Sequence, residues 1–225
     1  MTSSLRGVLL DIDGTLVDSN DAHALAWVEA MEHHGYKVDY QAVRDAIGMG
    51  GDKLLPAILE VDAASEEGKS LSHEHGQIFR SKYLGKVRAF PRIREFVERV
   101  QGAGLQVALA TSSQPQVIDT LLRFADIDDL VKVAADKSAV NFSKPSPDVI
   151  HVAMTKLGLT PHEVVMIGDT PYDVESARRA GVRVIALRCG GHSDEMLKNA
   201  TAIFDDIADL LRNLERSPLA ESLTP

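Results

Sequence analysis

The residues best suited to chemistry fall into short groups along the chain. Residues 9–19 read LLDIDGTLVDS, with Asp11 and Asp13 one residue apart, Gly14 and Thr15 behind them and a third acid at Asp18. Further on, GDTPYD sets Asp169 four residues before Asp173, one helical turn apart. Between these acids lie Thr111-Ser112-Ser113 and Ser143-Lys144-Pro145. Carboxylates held this close repel one another, and each resists burial unless something compensates it. A lysine or a divalent cation would do so, and either would also let an acidic protein accept a small anionic substrate.

The elements that must hold these groups can be read from the pattern around them. GVLLDI is short and apolar on both faces, as a fully buried strand should be, and it runs straight into Asp11 and Asp13. Residues 19–35 follow a helical period in which Ala22, Leu25, Ala26, Val28 and Met31 line one side and Gly35 suits the stop. Shorter helices are expected near 40–47 and 52–60, with GMGG (48–51) between them, and a longer one over 64–84 ending at Gly85. Asp18 is expected to cap the first of these helices at the hinge.

From residue 88 strands and helices alternate. Pro91 is expected at the first position of a helix, and Ser146 caps another with Pro147 behind it. LQVALAT, LVKVAA, VVMIGD and VRVIAL read as strands, and AIF as a short edge strand. The tail RSPLAESLTP reads as disordered. This predicts an α/β fold, a Rossmann-like parallel sheet covered on both faces, with a small helical domain inserted after the first strand. The boundaries are 1–17 and 88–225 for the core and 18–87 for the cap. Ligands of such sheets bind beyond the carboxyl ends of the strands, where Asp11, Thr111 and Asp169 all fall.

This set of residues resembles the haloacid dehalogenase-like hydrolase superfamily. Asp11-x-Asp13-Gly14-Thr15 matches its first motif, Thr111 its second, Lys144 its third and Gly168-Asp169-x-x-x-Asp173 its fourth, in the family's order. The resemblance implies a Mg²⁺-dependent phosphatase in which Asp11 attacks phosphorus and forms an aspartyl-phosphate. It makes Asp13 the general acid and base. Thr111 and the Ser112 amide would bind phosphoryl oxygens, and Lys144 would balance the charge. Asp11, Asp169, Asp173 and the carbonyl of Asp13 would surround the metal. Gly14 lets the chain turn and expose amides to the phosphate. In the cap, residues 48–53, Gly50 and Lys53 among them, and His23 are expected to meet the substrate. Phosphoglycolate and sugar phosphates are the usual substrates of relatives with such a cap.

Other readings fit less well. Dehalogenases of the superfamily lack the second aspartate, so Asp13 argues against that chemistry. The segment DSNDAHALAW is similar to the first cap helix of β-phosphoglucomutases, but Gly51 stands where those mutases carry a phosphate-binding arginine, with Lys53 the available substitute. Phosphonate-cleaving relatives need an activated cap lysine, and nothing near Lys53 would lower its pKa. A response-regulator-like phosphoacceptor would place its aspartate after the third strand, where VAADK stands. A partner-binding pseudophosphatase would not need intact motifs. Lys137 rivals Lys144 but lacks the following proline and helix start. His33-His34 and His73-x-His75 do not face one another on a helix, so they make poor metal sites.

Composition bounds the rest. A formal net charge of −9 with no basic block argues against nucleic acid and anionic membrane surfaces. No run approaches the roughly 20 apolar residues of a membrane span. The single cysteine, Cys189, excludes an intrachain disulfide. With no signal-peptide pattern at the start, a cytoplasmic monomer is expected.

Overall fold

The computed structural model describes residues 5–131, 134–135 and 142–223. Its first strand, β1 (Gly7–Leu10), is buried along its whole length. A two-residue strand, β2 (Val17–Asp18), leads into four helices: α1 (Asn20–His33), α2 (Tyr40–Asp45), α3 (Gly51–Leu59) and α4 (Glu66–Ile78). The chain returns through β3 (Arg88–Ala89), which pairs antiparallel with β2. Then follow α5 (Ile93–Gly102), β4 (Gln106–Ala110), α6 (Pro115–Phe124), β5 (Ala134–Ala135) and α7 (Asp148–Leu157). The last stretch holds β6 (Val164–Gly168), α8 (Pro171–Arg179), β7 (Arg183–Leu187), α9 (Asp194–Leu197), β8 (Ala202–Phe204), α10 (Ile207–Arg212) and α11 (Ala220–Leu223).

The main sheet has six parallel strands in the order β5-β4-β1-β6-β7-β8, so β1 lies centrally between β4 and β6. Its strands read as continuous apolar runs because both faces are covered. Val8 and Leu10 pack with Phe96, Val97 and Leu121 of α5 and α6, while Leu9 packs on the other face with Ile150, Ala153 and Ala177 of α7 and α8. The chain passes from β1 to β4 and β5 on one side and then crosses back to β6 on the other. The order therefore reverses at β1, and a crevice opens there at the strands' carboxyl ends.

The four helices after β2 have an apolar cluster of their own, with Trp27, Met31, Val43, Leu54, Leu55 and Leu71 buried together. Their placement between β2 and β3 agrees with the expected insertion. Local readings needed correction. Leu25 is 42% exposed, because Ala24, Trp27 and Met31 carry the buried face of α1. Asp18 does not cap α1; it lies exposed in β2, opposite Arg88, and Ser19 occupies the cap position. Pro91 sits ahead of α5, since Arg92 takes a left-handed conformation (φ 63°) at the cap and delays the helix. Pro147, not Ser146, precedes the first residue of α7. The tail is ordered as far as Leu223: Leu219 and Leu223 join the main core, and residues 224–225 lie outside the described residues. LVKVAA is a strand at 134–135; its residues 132–133 and Lys137 lie outside the described residues.

Candidate active site

Asp11 leaves β1 in the middle of the sheet, with its amide donating to the Ile167 carbonyl of β6 (3.0 Å). This bond extends the ladder by one residue and fixes the carboxyl at the crevice. Lys144 Nζ, itself only 1% exposed, lies 2.6 Å from Asp11 Oδ1 and 2.6 Å from Asp173 Oδ1. Burial alone would lower the Lys144 pKa, but Asp11 and Asp173 outweigh it and push the ammonium upward. Burial raises Asp11 well above the usual carboxylate range against the pull of Lys144, and Asp173, Asp169 and Asp13 raise it further.

Asp169 follows β6 and is fully buried. Thr15 Oγ1 donates to its Oδ1 (2.7 Å), and Asn20 Nδ2 donates to its Oδ2 (2.8 Å). Burial, and then Asp173, push this carboxyl up to about 7, against those two hydrogen bonds. Asp173 enters α8 in a capping box: its Oδ2 accepts from the Thr170 amide (3.0 Å) and hydroxyl (2.6 Å). Among the described residues Asp11, Asp169 and Asp173 form a buried cluster able to offer oxygens within 4.8 Å of one another. Such a cluster of hard donors, carrying more negative charge than one lysine balances, fits a divalent cation. Gly14 closes over it with φ 75°, and any side chain there would strike Asp169 and Asn20.

Asp13 lies in a different environment. Ser19 Oγ donates to its Oδ1 (2.5 Å), His23 Nε2 is 3.1 Å from the same oxygen, and the Ser113 hydroxyl donates to Oδ2. Burial would raise its pKa, but the His23 charge and these three hydrogen bonds together pull it well below the usual range. His23 is held in turn by stacking on Phe79 (ring centroids 3.8 Å apart) and by His75 Nε2, 3.3 Å from its Nδ1. His75 stacks on Trp27 at 4.1 Å. The His73-x-His75 pair noted in the sequence therefore contributes one ring to this stack.

Thr111 and Ser112 follow β4. The Thr111 hydroxyl accepts from the Ser113 amide (3.0 Å) and does not cap α6, which starts after Gln114. Ser112 Oγ is buried without a hydrogen-bond partner among the described residues. One pocket is lined by Asp11, Asp13, Thr111, Ser112 and Lys144 from the sheet side, and by His23, Trp27, Gly50 and His75 from the helical side. Lys53 is not among its lining residues; its Nζ lies 4.9 Å over the Phe142 ring. Sequence reasoning quoted Thr15 and Ser113 within the motifs but gave neither a role, and it missed Ser19 and Asn20. Nothing in the pattern marks Asn20. His33 and His34 both face Glu74 (2.7 and 3.0 Å).

Comparison with known proteins agrees with this geometry. Residues 8–187 match the family model described as haloacid dehalogenase-like hydrolase. A phosphoglycolate phosphatase of Yersinia pestis is 30% identical, with 92% of each chain aligned. The fructose-1-phosphate phosphatase YqaB of Escherichia coli is 26% identical over 84% of this chain and 99% of its own. The crystal structure of a hydrolase from Pseudomonas syringae superposes with a TM-score of 0.87 at 26% identity, covering 94% of this chain and 98% of that one. The chain belongs to the haloacid dehalogenase-like hydrolase family, in its phosphatase branch, and is a hydrolase of phosphate esters. Among the described residues no helix is long and apolar enough to cross a membrane.

Proposed function

We propose that the protein is a Mg²⁺-dependent phosphatase of small phosphorylated metabolites, of the phosphoglycolate or sugar phosphate type, working through an aspartyl-phosphate on Asp11. The observation that carries this reading is the meeting of Asp11, Asp13, Thr111, Ser112 and Lys144 in one pocket, with Asp169 and Asp173 behind Asp11. Asp11, Asp169, Asp173 and the Asp13 carbonyl would hold the metal. When bound it would withdraw charge from the phosphoryl oxygens and offset the repulsion between carboxylate and phosphate.

In the first half Asp11 attacks phosphorus, the ester bond breaks, and Asp13 protonates the departing alkoxide. In the second half Asp13 takes a proton from the water that attacks the aspartyl-phosphate, and phosphate leaves with Asp11 regenerated. The surroundings of Asp13 favour its ionised form, the one the second half needs. Entry of an anionic ester beside it raises its affinity for the proton needed in the first half. Lys144 orients Asp11 and balances the transferring group. The Thr111 hydroxyl, the Ser112 amide and the partnerless Ser112 hydroxyl receive phosphoryl oxygens.

Residues 18–87 act as the cap, whose Gly48–Gly51 loop and His23 close the pocket and exclude water. The mutase reading loses support at the two positions expected to hold a second phosphate, because Gly51 offers no charge and Lys53 lies outside the pocket lining. A cytoplasmic monomer suits the lone, half-buried Cys189, and the exposed large apolar residues are scattered over separate elements. Phosphate release from a panel of phosphorylated metabolites with Mg²⁺ tests the reading. Release should vanish in Asp11→Asn and with EDTA; full activity in either case would refute the mechanism.

A further inference from the structure

One cation on the helical wall of the pocket has no part in the chemistry above. Arg80 lines the pocket together with Gln114, Ser72 and Gly76. It follows α4 in a π-helical turn, Phe79–Tyr83, a widened turn that changes the direction in which side chains leave a helix. Its guanidinium lies back over Gly76: a Cβ added there would sit 3.1 Å from Arg80 Nη1 and 3.5 Å from Gln114 Oε1. Glycine at 76 thus leaves room for the guanidinium, and Gln114 Oε1 of the opposite, sheet-side wall borders the same space.

The charge is also uncommitted. Arg44, Arg92, Arg94 and Arg188 each hold a carboxylate. Arg80 forms no ion pair or hydrogen bond among the described residues, although the chain carries an excess of nine acids. Lys144 cannot serve a second anion, because Asp11 and Asp173 occupy it. A planar guanidinium at the pocket wall is suited to two parallel hydrogen bonds with a carboxylate or a phosphate. We infer that Arg80, with Gln114 beside it, determines specificity by receiving a second anionic group on the phosphorylated substrate. The inference rests on the phosphatase reading. A neutral sugar tail would leave this cation unused.

The test compares wild type, Arg80→Gln and Arg80→Lys with Mg²⁺ on four substrates. p-Nitrophenyl phosphate and fructose 1-phosphate have no second anion, 2-phosphoglycolate carries a carboxylate, and glucose 1,6-bisphosphate carries a second phosphate. Wild type should prefer one of the last two, and which one it prefers identifies the anion. Arg80→Gln should raise KM for that substrate by about tenfold or more, the scale of a lost charged hydrogen bond. Its kcat, and the kinetics on p-nitrophenyl phosphate, should stay within about twofold, and Arg80→Lys should recover part of the loss. A preference for fructose 1-phosphate, an equal change on all four substrates, or no change would overturn the assignment while leaving the phosphatase reading intact. A wild type that releases phosphate from none of them, p-nitrophenyl phosphate included, would overturn both.

Discussion

Four acids meet at the ends of two neighbouring strands, and their partners divide them into two electrostatic kinds. Asp13 receives Ser19, His23 and Ser113 and is held ionised. Asp11 and Asp169 face other acids across a buried space and are driven toward protonation. The metal-free protein should show this difference as a dependence of stability on pH. With Asp169 pushed up to about 7 from 3.8, the folded state keeps a proton that the unfolded chain has released. The folded state then binds more protons than the unfolded one, so stability falls as pH rises from about 4 to about 7. Asp13 is shifted the other way, and its contribution is lost only as pH falls below about 4, outside that window. Urea unfolding in EDTA at pH 5, 6 and 7 should therefore show a shallower decline for Asp169→Asn than for wild type. Mg²⁺ added at pH 7 should restore wild type more than the variant. Parallel curves with and without the substitution would contradict the environment assigned to Asp169.

At the scale of elements, the helical block meets the sheet through contacts concentrated around the site. Asn20 at the start of α1 holds Asp169, Arg44 Nη2 donates to the Gly190 carbonyl (2.6 Å), and the Tyr172 hydroxyl donates to the Asp45 carbonyl (2.9 Å). A Cβ added at Gly50, the residue ahead of α3, would collide with the Ser143 side chain next to Lys144. The Gly50 backbone (φ −72°, ψ 162°) is one that alanine adopts freely, so Gly50→Ala tests space and not strain. The added methyl must push the loop away from Ser143. Phosphate release should fall on the order of tenfold to a hundredfold, the cost of a misplaced wall, with little change in Tm. Activity equal to wild type would separate this loop from closure. The helices of the block were legible in the sequence because apolar residues recur at helical spacing and glycines mark their ends. The β2–β3 ribbon was not, since two-residue strands carry no period. Nor was the start of α5, where a left-handed Arg92 overrides the preference of Pro91 for a first helical position.

Across the whole molecule, the candidate site was legible because its acids sit at the ends of fully buried strands, where an aspartate after an apolar run is conspicuous. Its supporting partners were not, because Asn20 reaches Asp169 across 149 residues and only the assembled fold brings them together. The tail failed for a related reason. Its polar composition suggests disorder, but its two apolar side chains that matter, Leu219 and Leu223, fall on a face that the core leaves open. Leu219 is 0% exposed among residues of the main cluster, and Arg99 Nη2 donates to the Leu223 carbonyl (2.5 Å). The tail should therefore contribute to the stability of the sheet's helical layer without taking part in catalysis. Leu219→Ala should cost about 2–5 kcal/mol in urea unfolding, the usual range for emptying a buried leucine site. Phosphate release by the folded fraction should stay at wild-type rates, since Leu219 is not among the residues lining the pocket. A cost below about 0.5 kcal/mol, the level of an ordinary surface change, would mean that the tail does not dock in solution and that the reading from composition was right.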